Sequence, residues 1–358
     1  MKNLIIPMGG KSSRFPDTRP KWMLTHPASG SLMCIEAIGG INLEFFERIL
    51  FVILREHDDQ YGASISINKA LIDLENYESI KEKTEIIILE ESTKSQSETV
   101  YRAIKKGNIS GFIYIKDSDG YFNIDVLNDE NQIVYLDLNN TDNEINARSK
   151  SYIEIDSNHL VTNIVEKKVI SSKFCVGGYG FNSASEFCNS YEKIKGISGE
   201  CYISNVVFQM LLDGYKFIGE ESSEFIDWGT IKSWNDYKSK IFTLFVDLDG
   251  TLITNTSHLC QPFIGEGTPL KENIEVIKEI KNQKGSMIII TTSRPETYRG
   301  LTIEELNQNQ IPFDLLIMGL PHSQRILIND FSPSNPYPSC SSVNIERNSD
   351  NLKNYIKY

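Results

Sequence analysis

What the chain lacks narrows its function first. No apolar run approaches the roughly 20 residues that a membrane-spanning helix needs, so no membrane partner is expected. After Lys2, only Leu4-Ile5-Ile6 precede Pro7 and Gly9-Gly10, which predicts no secretory leader and makes the cytoplasm the expected compartment. The six cysteines, Cys34, Cys175, Cys188, Cys201, Cys260 and Cys340, show no CxxC spacing and read as free thiols. The five histidines are dispersed, and no zinc site is expected. Basic residues are in deficit: 36 Lys and Arg against 48 Asp and Glu leave a net charge of −12, which argues against a nucleic-acid partner. The deficit does not exclude phosphorylated ligands, because a bound divalent cation and a few local cations reverse the field inside a cleft. Internal repeats and low-complexity segments are also missing.

What is present is enough for two domains. A length of 358 residues with 40% hydrophobic and 23% charged residues is that of a globular chain able to build two cores. Lys2–Ile6, Ile49–Leu54, Ile86–Leu89 and Phe112–Ile115 read as buried strands, and Cys34–Ile41, Gln96–Lys105 and Ile203–Leu212 as helices. Such alternation predicts an α/β fold, its mostly parallel sheet covered on both faces, with ligands at the carboxyl ends of the strands. Asp137–Asn146, rich in Asn and Asp, reads as a polar loop or hairpin. The first domain is placed at 1–238, where Trp234–Tyr237 reads as a helix end, and the second at 241–358. So short a polar connector suggests domains held close together. In the second domain Thr268 is an expected N-cap with Pro269 at the first helical position. Leu270, Ile274, Ile277 and Ile280 mark one helical face, and strands are expected at Met287–Ile290, Leu315–Met318 and Ile326–Ile328. This is a small Rossmann-like unit.

Met8-Gly9-Gly10-Lys11-Ser12-Ser13-Arg14-Phe15 follows the first strand directly. Paired glycines let backbone amides approach a triphosphate, and a helix N-terminus behind them favours anions. Arg14 and Lys21 add positive charge. The segment is not a P-loop, because Ile5 stands at the leading glycine position. Further on, Ile115-Lys116-Asp117-Ser118-Asp119 ends a strand in two aspartates, and Phe225-Ile226-Asp227 ends another in one. Val165-Glu166-Lys167 and Val176-Gly177-Gly178-Tyr179 lie between them. In this order the segments resemble the sugar-1-phosphate nucleotidyltransferases, or nucleotide-sugar pyrophosphorylases, over roughly residues 1 to 234.

The resemblance implies a GT-A/Rossmann-like α/β domain that transfers a nucleotidyl group from an NTP to a phosphate ester and releases pyrophosphate. It implies that Gly9, Gly10, Lys11, Arg14 and Lys21 hold the triphosphate, with Arg14 and Lys21 catalytic. Gln96 and Ser97 match the base-recognition segment, and Glu166, Lys167 and Gly178 the acceptor positions. Asp119 or Asp117, with Asp227, match the Mg²⁺ ligands. Ser12 departs from the pattern, standing where the family usually has a glycine.

A second chemistry begins at Phe245-Val246-Asp247-Leu248-Asp249-Gly250-Thr251, a strand whose period of two points both carboxylates the same way. Such a pair binds a divalent cation, and one member can attack phosphorus. Ile288–Thr292 ends a strand in threonine, and Ile326-Leu327-Ile328-Asn329-Asp330 ends in an acid. Together these resemble a haloacid dehalogenase (HAD) superfamily phosphatase. Only the stretch 250–291 lies between the first motif and the end of the next strand, so the domain is expected to be capless. The resemblance implies that Asp247 is the nucleophile and Asp249 the general acid and base. Asp247, the Asp249 backbone carbonyl and Asp330 then hold Mg²⁺, and Thr292 binds phosphoryl oxygens. Leu320 stands where a lysine is expected, leaving Arg294 or Arg325 as the phosphate-binding cation.

The leading expectation is a bifunctional enzyme of surface-polysaccharide precursor synthesis that uses an NTP, a sugar or polyol phosphate and Mg²⁺. The alternative keeps the transferase with a phosphocholine- or glycerol phosphate-like acceptor and makes the second domain a silent binding or dimerisation module. Which NTP is used, and whether the chain forms a homo-oligomer, stay open.

Overall fold

The computed structural model describes residues 1–10, 15, 19–124, 127–140, 147–196, 199–256, 267–283, 285–330 and 340–356. Two compact units emerge: Met1–His26 with Gly30–Trp234, and Pro27–Ser29 with Asn235–Tyr358. The division falls inside the helix Ile231–Lys238, slightly before the boundary expected at 238.

The first unit is a mixed α/β structure around a sheet whose one side is parallel. β1 (Lys2–Pro7), β2 (Arg48–Leu54), β3 (Thr84–Leu89) and β4 (Phe112–Lys116) run parallel in the order β4-β1-β2-β3. A short strand, β5 (Gly120–Phe122), lies just beyond β4. The sheet continues through β6 (Gln132–Asp137), β7 (Ser151–Ile155), β8 (Val161–Glu166), β9 (Lys173–Phe181) and β10 (Ile218–Glu221). β9 runs antiparallel between β4 and β6, and β10 closes the edge parallel to β6.

Alternation along the strands explains the layering. Ile5, Leu50, Val52, Ile113 and Ile115 feed one apolar core, while Leu4, Ile6, Ile49, Phe51, Ile53 and Tyr114 feed another. A strand period of two sends neighbours to opposite faces, so these near-continuous apolar runs are buried on both sides. Helix Gln96–Lys106 covers the first core with Val100, Ala103 and Ile104. Its N-cap Ser95 accepts a hydrogen bond from the Glu98 amide.

A second, two-stranded ladder positions the site. β11 (Phe225–Asp227) pairs antiparallel with β5, placing Asp227 opposite Gly120. Two distant segments therefore end at the same point, next to Asp119.

The second unit carries a parallel sheet ordered β12 (Thr243–Asp247), β13 (Met287–Thr291), β14 (Leu315–Ile317). Its core gathers Val246, Leu248, Ile288 and Ile290 with Ile274, Ile277 and Ile280 of helix Lys271–Asn282. That helix starts later than expected: Leu270, not Thr268, is the N-cap, and the Thr268 amide instead donates to Thr254 Oγ1. The strand expected at Ile326–Ile328 is not formed. Its three apolar side chains are exposed in extended chain without ladder partners. A three-residue apolar run is too short to define a strand by pattern alone.

Candidate functional site

A cleft of about 530 Å³ opens along the carboxyl ends of β1 and β4 and residues 175–179 of the antiparallel β9 in the first unit. Met8, Gly10, Lys21, Gln96, Asp117, Asp119, Lys150, Glu166, Lys167 and Asp227 all line it. Lys11 and Arg14 lie outside the described residues. Gly9 packs so tightly against the helix Gln96–Lys106 that an added Cβ would sit 2.9 Å from Thr99 Cγ2, whereas Gly10 faces open space. The loop is thus seated on the helix by one glycine and leaves the next free.

One end of the cleft is charged. Lys21 Nζ pairs with Asp119 Oδ2, and Lys150 Nζ lies 2.8 Å from Asp227 Oδ2. The Gly229 amide donates to Asp227 Oδ1 at 2.9 Å, and the Trp228 amide to the Asp119 carbonyl at 2.9 Å. A Cβ on Gly229 would stand 3.1 Å from both Asp119 Oδ2 and Asp227 Oδ1, so the two carboxylates face one point that the glycine leaves open. Burial acts to raise the Asp119 carboxyl, but Lys21, Lys150 and Lys116 outweigh it and hold the group below its usual value. Two hard oxygen donors around a small gap suit Mg²⁺, which usually takes one or two protein carboxylates and completes its shell with water and substrate phosphate. The described residues contain no cluster of three or more acidic, His or Cys side chains able to hold a metal by themselves. The fit is therefore to a cation that arrives with phosphate.

Asp117 takes a different place. Its Oδ1 accepts a hydrogen bond from Gln96 Nε2, and its Oδ2 lies where a Cβ on Gly177 would approach to 2.4 Å. The Asp117 amide donates to the Gly177 carbonyl at 2.9 Å, and Gly177 has φ +91°. Burial first, then the neighbouring Asp119 charge, pushes the Asp117 carboxyl up to about 6. Beneath the loop, buried Lys116 donates to the carbonyls of Asp117 (3.0 Å) and Gly120 (2.6 Å) and stacks 4.3 Å from the Phe122 ring centre. Burial pulls its ammonium down to about 8 against the attraction of Asp117 and Asp119.

The other side of the cleft is polar. Glu166 Oε2 accepts from Ser151 and Ser204. Lys167 takes the left-handed region at φ 56° and places Nζ on the Tyr202 hydroxyl and 4.1 Å from its ring centre. Glu200 also accepts from Tyr202.

Two expected residues are not in the cleft. Ser97 is fully buried and donates to the Cys201 carbonyl, so it ties the helix to the segment before Ile203 and leaves Gln96 to line the cleft. Gly178 faces the core: a Cβ there would come within 2.5 Å of Phe122 and 2.6 Å of the Tyr114 hydroxyl. Its glycine meets a packing need, and Gly177 lines the cleft instead. Lys150 was missed from the sequence. It follows the Asn/Asp-rich tract two residues after Arg148 and immediately before β7, a position with no periodic signal.

In the second unit Asp247 and Asp249 lie at the end of β12 as expected, but their partners differ. Arg325 Nη1 meets Asp247 Oδ1 at 2.8 Å, an open contact that could be exchanged for phosphate. Burial raises the Asp247 carboxyl above its usual value, opposed by Arg325. Asp249 is bound on both oxygens by Arg294, at 2.6 Å from Nη2 and 3.0 Å from Nε, and by Thr292 Oγ1 at 3.0 Å. Arg294 is 1% exposed, with Nη1 on Glu305 at 2.5 Å. Its guanidinium is consumed by two carboxylates, so it is a structural ion pair and not a phosphate ligand, and Thr292 serves the same cluster. Asp330 forms no metal-binding cluster with Asp247 and Asp249 among the described residues.

Comparison with known proteins bears on the fold. No protein-family model and no curated protein matches the chain. The nucleoside-diphosphate-sugar pyrophosphorylase from Vibrio cholerae RC9 superposes with a TM-score of 0.54 at 22% identity, covering 65% of this chain and 98% of that one. A UDP-glucose pyrophosphorylase complexed with UDP-glucose gives 0.51 at 14% identity, over 66% and 97%. An apo UDP-glucose pyrophosphorylase gives 0.50 at 15% identity, over 66% and 97%. These likenesses are of fold, over a share of this chain comparable in length to the first unit. No helix among the described residues is long and apolar enough to cross a membrane.

The raised Asp117 carboxyl makes stability depend on pH. In the unfolded chain the group titrates near 3.9. Its folded value of about 6 means the native state holds the proton more tightly, so stability falls as pH rises from about 4 to 6. Asp117→Asn is therefore expected to raise the thermal midpoint at pH 7–8, with the gain disappearing below pH 4. Thermal unfolding across pH checks this, and a destabilised variant at pH 7 would contradict it.

Proposed function

We propose that the first unit transfers a nucleoside monophosphate from an NTP to a sugar or polyol phosphate and releases pyrophosphate. The observation that carries the reading is the Asp119–Asp227 pair, facing one gap and flanked by Lys21 and Lys150. Asp119 and Asp227 would hold Mg²⁺, which when bound offsets the repulsion between the acceptor phosphate and the triphosphate. Lys21 and Lys150, whose carboxylate partners would turn to the metal, are then free to meet phosphate oxygens. An acceptor phosphate oxygen forms the new bond to the α-phosphorus, the bond to the β-phosphate oxygen breaks, and pyrophosphate leaves with its electrons. No covalent enzyme intermediate is needed, so positioning and charge neutralisation supply the catalysis. Gln96 lines the cleft and would offer its amide to a base, with Gly10 on the proposed phosphate loop.

Glu166, Ser151, Ser204 and Tyr202 offer hydrogen-bonding groups to acceptor hydroxyls. A phosphocholine acceptor is less favoured, because the Tyr202 ring face is taken by Lys167. We propose with it a cytoplasmic role in making activated precursors for surface polysaccharide, a use with which this chemistry is compatible. Pyrophosphate release, scanned over four NTPs and a panel of sugar and polyol phosphates with Mg²⁺, should single out one pair. Asp119→Asn or Asp227→Asn should each lower kcat for that pair at least 100-fold. Release unchanged in both variants would overturn the reading.

A second reading concerns the other unit. Asp247, solvent-reachable and beside Arg325, favours hydrolysis of a phosphate monoester through an aspartyl phosphate. The Arg294 clamp on Asp249 opposes it by occupying the expected acid and base. Mg²⁺-dependent phosphate release from p-nitrophenyl phosphate, lost in Asp247→Asn, is the outcome hydrolysis requires. No release would leave the unit as a binding or dimerisation module.

A further inference from the structure

We propose that Asp117 is a positioning residue for nucleotide choice: it fixes the Gln96 amide so that its carbonyl oxygen, not its nitrogen, is presented to the base. The proposal rests on the reading of the first unit as a nucleotidyltransferase.

An ionised carboxylate only accepts, while a glutamine amide can present either end. Asp117 Oδ1 accepts from Gln96 Nε2, which commits the nitrogen inward. The Gln96 carbonyl oxygen has no hydrogen-bond donor among the described residues, and the side chain lines the cleft. An open acceptor on the wall of a cleft asks its ligand for a donor.

Asp117 is itself held. Its amide is on the Gly177 carbonyl, and its second oxygen fills the space that a Gly177 side chain would need. The positive φ of Gly177 suits that residue to the position. Lys116 ties down the Asp117 carbonyl from below. The carboxylate therefore cannot turn to let Gln96 flip. The charge needed for phosphate lies elsewhere in the cleft, on Lys21, Lys150, Asp119 and Asp227, so Asp117 is spared from phosphate work.

A fixed acceptor separates bases with exchanged donor and acceptor patterns. Cytosine presents an amine donor beside a ring acceptor, whereas uracil presents a carbonyl acceptor beside a ring N–H. Guanine and adenine differ in the same sense. Asparagine at 117 can donate or accept, so Gln96 would lose its fixed sense. A site that leaves a polar group unpaired rejects the wrong ligand strongly, and relaxing that constraint erodes the rejection.

The test is calorimetric titration of the full chain with CTP, UTP, GTP and ATP in the presence of Mg²⁺, and with inorganic tripolyphosphate as a base-free probe. Wild type should prefer one member of the C/U or G/A pair. Asp117→Asn should reduce that preference at least tenfold and leave tripolyphosphate affinity within about twofold. In a Gln96→Ala background, where the amide is gone, Asp117→Asn should change the preference no further. Equal weakening of every NTP and of tripolyphosphate would overturn the proposal and make Asp117 part of the phosphate or metal site. A preference that still shifts in the Gln96→Ala background would also overturn it. If wild type bound none of the four NTPs, the nucleotidyltransferase reading would fall and the proposal with it. Wild-type binding with an unmoved preference would sink the proposal alone.

Discussion

The ladder between β5 and β11 is the constraint on which the site depends. Asp119 comes from the loop after β4 and Asp227 from a strand more than a hundred residues later. Pairing Asp227 with Gly120 fixes them side by side, and Gly229 keeps the space between them empty. Facing carboxylates repel, so the pair is tolerable only because Lys21 and Lys150 neutralise it from opposite partners. The same lysines give the cleft a means of exchanging an internal ion pair for phosphate. Remove the ladder, and neither the facing carboxylates nor their cationic flank remains.

The loop Asp117–Gly120 divides two tasks between residues two positions apart. Asp119 turns to the charged end of the cleft, and Asp117 turns to the neutral amide of Gln96. Lys116 holds both ends of the loop by their carbonyls. One short, internally braced segment thus sets the directions of both carboxylates. The second unit shows the opposite economy. There Arg294, Asp249, Thr292 and Glu305 spend their hydrogen bonds on each other, which fixes the end of β12 and leaves Asp247 with the exposed Arg325.

Much of this was legible from residue order. Strand-forming apolar runs in the first unit fell where expected, because runs buried on both faces carry a strong signal. Strand-end aspartates and the Gly9-Gly10 turn pointed to the end of the sheet where the cleft opens. The errors came from one-residue choices. Gly177 and Gly178 are adjacent, but a strand sends them to opposite faces, so the cleft glycine and the core glycine are easily exchanged. Gln96 and Ser97 open one helix, and a single step turns the side chain by about 100°, from cleft to interior. Arg294 read as a phosphate cation because its burial partner Glu305 belongs to a later helix, Arg299–Gln308, and only tertiary packing joins them. Lys150 left no mark, since a lysine between a polar tract and a strand has no period to distinguish it from the nearby Arg148.

The central claim is that Asp119 and Asp227 exchange their lysines for a metal–nucleotide complex. Electron paramagnetic resonance of Mn²⁺, titrated with and without NTP, tests it most directly. The account predicts one tightly bound Mn²⁺ per first unit only when an NTP is present, lost when both Asp119 and Asp227 are replaced by asparagine. Nucleotide-dependent Mn²⁺ binding that survives that double replacement would contradict it.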